Sequence, residues 1–223
     1  MYVRITSQQS LSTALAERGW VVSSVRDNKT IEGELDRVAN LLGKRVAGRA
    51  GAVEEVIQPT ARGDAHPRSL SARFGLEALP LHVELSHRSQ PCRYILLGCV
   101  EPGEPSAATM LLDWQSVNLT AEELCFLETA PILVRTGRRS FYSTLLPANR
   151  SYLRYDPGCI EAVDERGREA IKIVQRSLAE GIFHLHQWYR GDIVVIDNWR
   201  VLHGRAPTDY GSGRRLARIL IDV

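Results

Sequence analysis

The sequence predicts a mainly β protein with flanking helices, in which antiparallel strands form a closed or double-layered architecture. Short strand-like runs follow residue 53, and Gly, Pro and Asp residues separate them. Such spacing is typical of β-sandwiches, jelly rolls and barrels. The predicted strands are residues 53–57, 81–85, 94–100, 109–114, 132–136, 140–146, 182–187, 193–197 and 216–222. The sequence shows no internal repeat or linker, so a single domain is expected.

The residues before this β core are predicted to support it. Residues 10–18 read as a short helix, with Ser10 as its N-cap. Residues 19–22 follow as a short strand, and residues 30–42 form a second helix whose apolar residues share one face. These elements are expected to pack around a sheet and to carry no function.

Two helices are predicted to interrupt the β core, at residues 121–129 and 164–181. The second is amphipathic, so we expect it to pack on a face of a sheet. The chain is therefore interpreted as one domain over residues 1–223. Residues 1–52 would form the N-terminal support, and residues 53–223 the β core with its inserted helices.

Composition and charge exclude several classes of protein. The chain has 223 residues, a net charge of +2, 44% hydrophobic residues and 24% charged residues, which is ordinary for a soluble globular protein. The balanced charge does not favour a nucleic-acid or membrane-surface partner, and neither a membrane-spanning run nor a secretory signal is evident. The four cysteines form no Cys-x-x-Cys pair and are expected to be reduced thiols. We expect a cytoplasmic protein that acts on a small molecule, and the sequence leaves a homo-oligomer open.

The first candidate site lies in the run 81–87. Side chains two apart on a strand point to the same face, so His82 and Glu84 project into one space if this run forms a strand or ends one. One imidazole and one carboxylate are two of the three ligands of the 2-His-1-carboxylate site of non-haem Fe(II) oxygenases. The triplet alone also fits a structural histidine beside a solvated glutamate, so the metal interpretation requires a distant third ligand.

The run 191–205 offers that third ligand. It reads as a turn, a buried apolar strand, a polar corner and then His203 followed by Gly204. Ligands on rigid elements are held more accurately than ligands on loops. Taken alone, His203 also fits a hydrogen-bonded structural histidine. Together with His82 and Glu84, it is the predicted third metal ligand.

Two arginines near the end of the chain form a candidate anion site. On a strand, Arg214 and Arg218 share a face with Leu216 and Leu220, whereas Arg215 lies on the other face. Guanidinium groups that point into an apolar interior are costly unless they meet anions, and they bind carboxylates well. The alternative is a position at the rim of a barrel, where both would pair with acidic residues of the protein itself.

These stretches together resemble the taurine dioxygenase and clavaminate synthase-like family. The resemblance rests on Leu81-His82-Val83-Glu84, Pro91-x-Arg93-Tyr94-Ile95-Leu96-Leu97, Ala107-Ala108-Thr109 with Asp113, Asp197-Asn198-x-Arg200-Val201-Leu202-His203-Gly204-Arg205 and Arg214-x-x-x-Arg218. These motifs occur in the same order as in the family, and the distances between them in the sequence are similar. The carboxylate is Glu84, where the taurine dioxygenase branch usually has Asp, and in this the chain is similar to the clavaminate synthase and amino-acid hydroxylase branch.

The resemblance implies a double-stranded β-helix, that is, a jelly roll of the cupin-like type. It implies Fe(II) as cofactor, with 2-oxoglutarate and O₂ as cosubstrates. His82, Glu84 and His203 would bind the iron and form the catalytic centre.

The resemblance also assigns residues to 2-oxoglutarate. Arg214 would hold its distal carboxylate, and Thr109 would form a hydrogen bond to the same molecule. Arg218 would lie beside it and touch the cosubstrate or an anion of the substrate.

The implied activity is an oxygenase that hydroxylates a C–H bond of a small carboxylate-bearing molecule, such as an amino acid or a natural-product intermediate, with release of succinate and CO₂. Desaturation or ring closure depends on the substrate and stays open. Two alternatives are another metal-dependent enzyme, an isomerase or hydrolase, and a non-catalytic binding protein on the same scaffold.

His184 and His186 have metal-like spacing, but they are interpreted as residues of a strand.

Overall fold

A computed structural model describes residues 2–25, 30–48, 51–137 and 139–223. The helices are α1 (Gln8–Arg18), α2 (Ile31–Leu42), α3 (Leu70–Phe74), α4 (Ala121–Thr129) and α5 (Glu165–Glu180). The strands are β1 (Trp20–Ser24), β2 (Lys44–Val46), β3 (Glu54–Ile57), β4 (Leu79–His82), β5 (Tyr94–Glu101), β6 (Thr109–Asp113), β7 (Ile132–Val134), β8 (Phe141–Ser143), β9 (Ile160–Ala162), β10 (His184–His186), β11 (Asp192–Asp197), β12 (Val201–Arg205) and β13 (Arg215–Asp222).

Two antiparallel sheets face each other and confirm the predicted double-layered architecture. The large sheet has the order β1-β11-β5-β13-β2, and β3 also pairs with β13. The small sheet has the order β10-β6-β12-β4, and a separate three-stranded sheet runs β8-β7-β9. Side chains from both main sheets share one buried cluster, which contains Ile95, Leu97, Leu111, Val201 and Leu216. The two sheets therefore enclose a common interior, as in a jelly roll.

The N-terminal segment contributes strands as well as helices to this architecture. Both β1 and β2 belong to the large sheet, and α1 and α2 cover the outer face of that sheet with one apolar cluster. Thr30 caps α2, and Ser7 caps α1 in a capping box. The prediction that Ser10 is the N-cap was wrong, because Ser10 is the third helical residue, and its hydroxyl oxygen accepts a hydrogen bond from the backbone N–H of Ser7.

The two inserted helices cover the outer face of the small sheet. Helix α4 has the predicted bounds, and α5 begins after its N-cap Asp164. Ala170, Val174 and Leu178 of α5 are buried in a cluster that also contains Leu202 of β12. The amphipathic pattern thus correctly predicted a helix packed on a sheet face.

The structure differs from the sequence prediction around the first candidate site. The predicted strand 81–85 is shifted, because β4 ends at His82 and a turn begins at Glu84. Leu85 has a positive φ of 57°, which no strand residue adopts. The strands β2, β9 and β12 and the helix α3 were not predicted.

No helix in the described part of the chain is long and apolar enough to cross a membrane. The four cysteines are free, and three of them are buried.

Candidate active site

Two segments far apart in the sequence bring His82, Glu84 and His203 together. His82 ends β4 and pairs directly with His203 of β12 across the small sheet. One ligand atom from each of the three residues lies within 4.8 Å of the others, and the two imidazole centres are 4.3 Å apart. Among the described residues, this is the group of His, Cys, Asp and Glu side chains that could hold a metal ion.

Both imidazoles are suited to be neutral metal ligands. The Nδ1 atom of His82 lies 2.9 Å from the carbonyl oxygen of Pro80, which can only accept, so Nδ1 carries the proton and Nε2 keeps a free lone pair. Burial, and then the neighbouring His82, lower the pKa of His203 to about 3. Nδ1 of His203 is buried without a hydrogen-bond partner in the described structure. An unpaired buried nitrogen beside a second imidazole and a carboxylate fits a metal site.

A buried asparagine fixes the backbone of Glu84. Asn198 lies fully buried at the corner between β11 and β12. Its side-chain oxygen accepts from the Glu84 N–H at 2.8 Å, and its amide nitrogen donates to the carbonyls of Glu84 at 3.0 Å and Cys92 at 2.8 Å. The asparagine thus pairs with Glu84 as a neighbouring strand would. The corner that leads to His203 therefore also positions Glu84.

A buried arginine holds the turn that follows Glu84. Arg154 is only 1% exposed, and its guanidinium donates to the carbonyls of Ser86, Arg88 and Ser89. These carbonyls have no strand partner because the chain has left the small sheet. The arginine satisfies them and keeps the turn closed.

The carboxylate of Glu84 forms an ion pair inside the barrel. Nη1 of Arg218 lies 2.7 Å from Oε2 of Glu84, and Nη2 of the same arginine donates to Glu55 of β3. The two carboxylates and their electrostatic attraction raise the pKa of Arg218 and outweigh the opposite effect of its burial. Arg218 therefore orients the carboxylate that faces the two histidines.

A second polar cluster lies further along the barrel, around Thr109 and Arg214. The hydroxyl oxygen of Thr109 accepts from Nη2 of Arg214 at 3.2 Å and from the indole N–H of Trp188 at 2.9 Å. With its oxygen engaged by two donors, the Thr109 hydroxyl has its own proton left to donate. Gly103 permits this packing, because a Cβ there would come within 2.8 Å of Arg214.

A cavity of about 490 Å³ joins the two clusters. It is lined by all the predicted site residues, namely His82, Glu84, Thr109, His203, Arg214 and Arg218. His66 and Asp156 also border it, together with the apolar side chains of Leu97 and Leu216. The cavity is large enough for a small cosubstrate and a small substrate.

The structure also places residues that sequence reasoning interpreted differently or missed. His184 stacks on Trp20 at 5.7 Å, and His186 lies 3.3 Å from Asp192, so both belong to the sheet rather than to the site. The roles of Asn198, Trp188 and Glu55 were missed. Asn198 stands in the quoted Asp197–Arg205 run, so that motif was the signal that could have found it.

Comparison with known protein families gives a match in the distal half of the site. The family model described as taurine catabolism dioxygenase TauD, TfdA family matches residues 113–220, which include His203, Arg214 and Arg218. A tyrosine isonitrile desaturase from Erwinia amylovora (strain CFBP1430) is 34% identical over 58 residues. That alignment spans 26% of this chain and 20% of the relative.

Solved structures match almost the whole chain. Asparagine oxygenase in complex with Fe(II), 2S,3S-3-hydroxyasparagine and succinate has a TM-score of 0.78 and 18% identity, covering 96% of this chain and 78% of that one. The non-haem iron oxygenase OrfP in complex with Fe and alpha-ketoglutaric acid has a TM-score of 0.77 and 21% identity, with the same coverage. These likenesses confirm the predicted double-stranded β-helix. The family match covers slightly less than half of the chain, so the chain is similar to the taurine catabolism dioxygenase TauD, TfdA family over residues 113–220.

Proposed function

We propose that this protein is a non-haem Fe(II)- and 2-oxoglutarate-dependent oxygenase that hydroxylates a C–H bond of a small carboxylate-bearing molecule. The observation that carries the proposal is the arrangement of the cavity. Two histidines and a glutamate converge at one point of it, and a buried threonine–arginine pair lines the same cavity.

His82, Glu84 and His203 would hold the iron. A set of two neutral imidazoles and one carboxylate leaves three coordination positions for other ligands, which is the arrangement of non-haem iron oxygenases. Asn198 and Arg218 would keep Glu84 in position, which is the part played by outer hydrogen-bond partners in metal sites. When bound, Fe(II) would activate O₂ as the oxidant, and 2-oxoglutarate would supply two electrons and leave as succinate and CO₂.

Arg214 and Thr109 would hold the distal carboxylate of 2-oxoglutarate. Arg214 offers a buried cation, and burial, followed by the repulsion of Arg205, lowers its pKa to about 10. It therefore remains protonated at neutral pH. Thr109 adds a hydroxyl proton directed by the two donors on its oxygen. Both Nη atoms of Arg218 pair with carboxylates of the protein, Glu84 and Glu55. Arg218 is therefore proposed as a neighbour of the cosubstrate or of a substrate anion, and not as its main partner.

We infer an amino acid or a natural-product intermediate derived from one as the substrate. Asp64, Arg68 and His66, which are exposed and line the cavity, offer a carboxylate, a guanidinium and an imidazole, which suits a zwitterionic molecule. The solved structures with this fold support the choice, because they contain 3-hydroxyasparagine or (3S)-hydroxy-L-Arg. We also propose that the protein is cytoplasmic and that it can form a homo-oligomer.

Desaturation is the second candidate outcome, because the aligned relative is named a desaturase. An isomerase, a hydrolase or a non-catalytic binding protein has less support. None of these needs a buried Arg214–Thr109 pair beside the metal ligands.

The test is a product search by mass spectrometry. The purified protein is incubated in air with Fe(II), 2-oxoglutarate and a panel of amino acids. A product heavier by one oxygen atom supports hydroxylation, and one lighter by two hydrogen atoms supports desaturation. If 2-oxoglutarate is neither bound nor consumed, the proposed function is wrong. The His82→Ala variant is the matched control and should form neither product.

A further inference from the structure

A second arginine points into the barrel beside the Thr109–Arg214 pair. Arg205 stands two residues after His203 on β12, so both side chains project from the same face of the strand. In the antiparallel register, Arg205 lies directly opposite Thr109 of β6. Arg205 and Arg214 both line the cavity, and each is only 5% exposed. Thr109 thus contacts the guanidinium of Arg214 and lies opposite Arg205 on the neighbouring strand.

The charges of these two arginines are not neutralised by the protein. Neither Arg205 nor Arg214 takes part in an ion pair within the described parts of the chain, whereas Arg218, which also lines the cavity, pairs with two glutamates. Burial, and then the repulsion of Arg205, lower the pKa of Arg214 and oppose its charged state. Two buried cations side by side without an anion form an arrangement that a bound anion would stabilise.

The unused donors of the two arginines point to the same conclusion. Nη2 of Arg205 donates to the carbonyls of Gly75 at 2.7 Å and Glu77 at 2.8 Å. Its Nε and Nη1 atoms are buried without a partner in the described structure, and so is Nε of Arg214. Buried polar atoms in proteins nearly always have hydrogen-bond partners. One edge of the Arg205 fork is therefore fixed to the backbone, and the donors Nε and Nη1 have no partner in the described structure.

We propose that Arg205 is a second guanidinium of the 2-oxoglutarate site and makes the site selective for 2-oxo acids with a distal carboxylate. That carboxylate would lie between Arg205 and Arg214 and accept from both, with Thr109 as a third donor. The charge of +2 around one carboxylate would penalise a 2-oxo acid whose far end is a methyl group, because both cations would then remain unpaired. The inference rests on the proposed function and names a residue that determines its cosubstrate specificity.

The experiment compares equilibrium binding of two ligands to the Fe(II)-loaded protein by anaerobic calorimetry. The ligands are 2-oxoglutarate and 2-oxopentanoate, which has the same carbon chain but no distal carboxylate. In Arg205→Gln, we expect binding of 2-oxoglutarate to weaken by about tenfold or more, since charge-assisted hydrogen bonds are lost. Binding of 2-oxopentanoate should stay the same or become tighter, because the variant removes one of the two cations that this ligand leaves unpaired. The exposed Arg215, on the opposite face, supplies the matched control Arg215→Gln.

A purely structural role for Arg205 gives a different result. If Arg205 serves only to hold Gly75 and Glu77, its replacement weakens both ligands equally and lowers the melting temperature of the ligand-free protein. An unchanged ratio of the two affinities in Arg205→Gln overturns the inference. Arg205→Lys keeps the positive charge but loses the forked geometry of the guanidinium. Its ratio of affinities for the two ligands should fall between the ratios of the unmodified protein and of Arg205→Gln. A ratio in Arg205→Lys equal to that of the unmodified protein also counts against the inference. Failure of the unmodified protein to bind 2-oxoglutarate contradicts the proposed function instead.

Discussion

Replacing Asn198 with alanine should weaken both the fold and the metal site. The side chain makes three hydrogen bonds, at 2.8, 3.0 and 2.8 Å, to the backbone of Glu84 and Cys92. Alanine leaves one buried N–H and two carbonyls without these partners. An unsatisfied buried group costs about 1–3 kcal/mol, and water will satisfy part of the half-buried Glu84 backbone, so we expect a loss of about 3 kcal/mol. For a chain of this size, that lowers the melting temperature by roughly 6–12 °C.

The same substitution should loosen Glu84 as a ligand. Loss of an outer partner of a metal ligand typically reduces metal affinity about 10- to 100-fold. Thermal unfolding of the metal-free protein and an anaerobic Fe(II) titration measure the two effects. Ser177→Ala is the control, because its buried hydroxyl has no partner in the described structure, so its removal should not destabilise the protein and should leave Fe(II) affinity unchanged. If Asn198→Ala binds Fe(II) as tightly as the unmodified protein, Asn198 does not position Glu84.

The remaining predictions concern the ligands and the cosubstrate. His82→Ala should abolish Fe(II) binding in a titration while the far-UV circular dichroism stays native; retained stoichiometric binding would remove His82 from the site. Arg214→Ala should raise the 2-oxoglutarate concentration needed for half-maximal turnover by about tenfold or more, and Arg215→Ala should leave it unchanged; the reverse order would contradict the assignment. Because the pKa of His203 is about 3 in the folded protein and about 6.5 when unfolded, the unfolded chain binds the extra proton, and stability falls as the pH drops below 6.5. In denaturant titrations of the metal-free proteins, the unfolding free energy of His203→Gln should fall between pH 8 and pH 5 by about 2 kcal/mol less than that of the unmodified protein. An equal fall in both proteins would refute this prediction.

Elements with a regular apolar pattern were predictable from the sequence. β5 and β11 were located to within a residue, because each is a continuous apolar run next to polar residues. The bounds of α4 were also predicted correctly, and a capping box of Thr120 and Glu123 marks its start. β12 was not predicted because it lacks such an uninterrupted apolar run. Its inward side chains include His203 and Arg205, and Gly204 lies between them, so the run does not read as a strand. Gly204 is needed because a Cβ there would come within 2.7 Å of the carbonyl oxygen of Leu79 on β4.

The strand prediction at Glu84 failed for a reason that lies outside the local sequence. The backbone N–H of Val83 donates to the carbonyl of Tyr155 at 2.7 Å, and Asn198 takes both backbone groups of Glu84. These partners are far away in the sequence and draw the chain out of the small sheet after His82. Glu84 still faces the two histidines, but a side-chain clamp rather than the alternation of a strand puts it there.

The site residues were predictable as a set, whereas their supports were not. His82, Glu84 and His203 stand in recognisable motifs, and the structure brings them into one cluster. The contacts of Arg154 and Asn198 depend on pairings across more than 60 residues, which a single sequence does not reveal. Such second-layer contacts become visible only when the backbone is placed.

The most direct test of this account is the formation of succinate in air by the purified protein with Fe(II) and 2-oxoglutarate, with and without a pool of amino acids. We predict succinate that depends on iron, increases with one member of the pool and disappears in His203→Ala. Succinate formation at the same rate in His203→Ala would contradict the metal site. If the unmodified protein neither forms succinate nor binds 2-oxoglutarate, the proposed oxygenase activity is wrong.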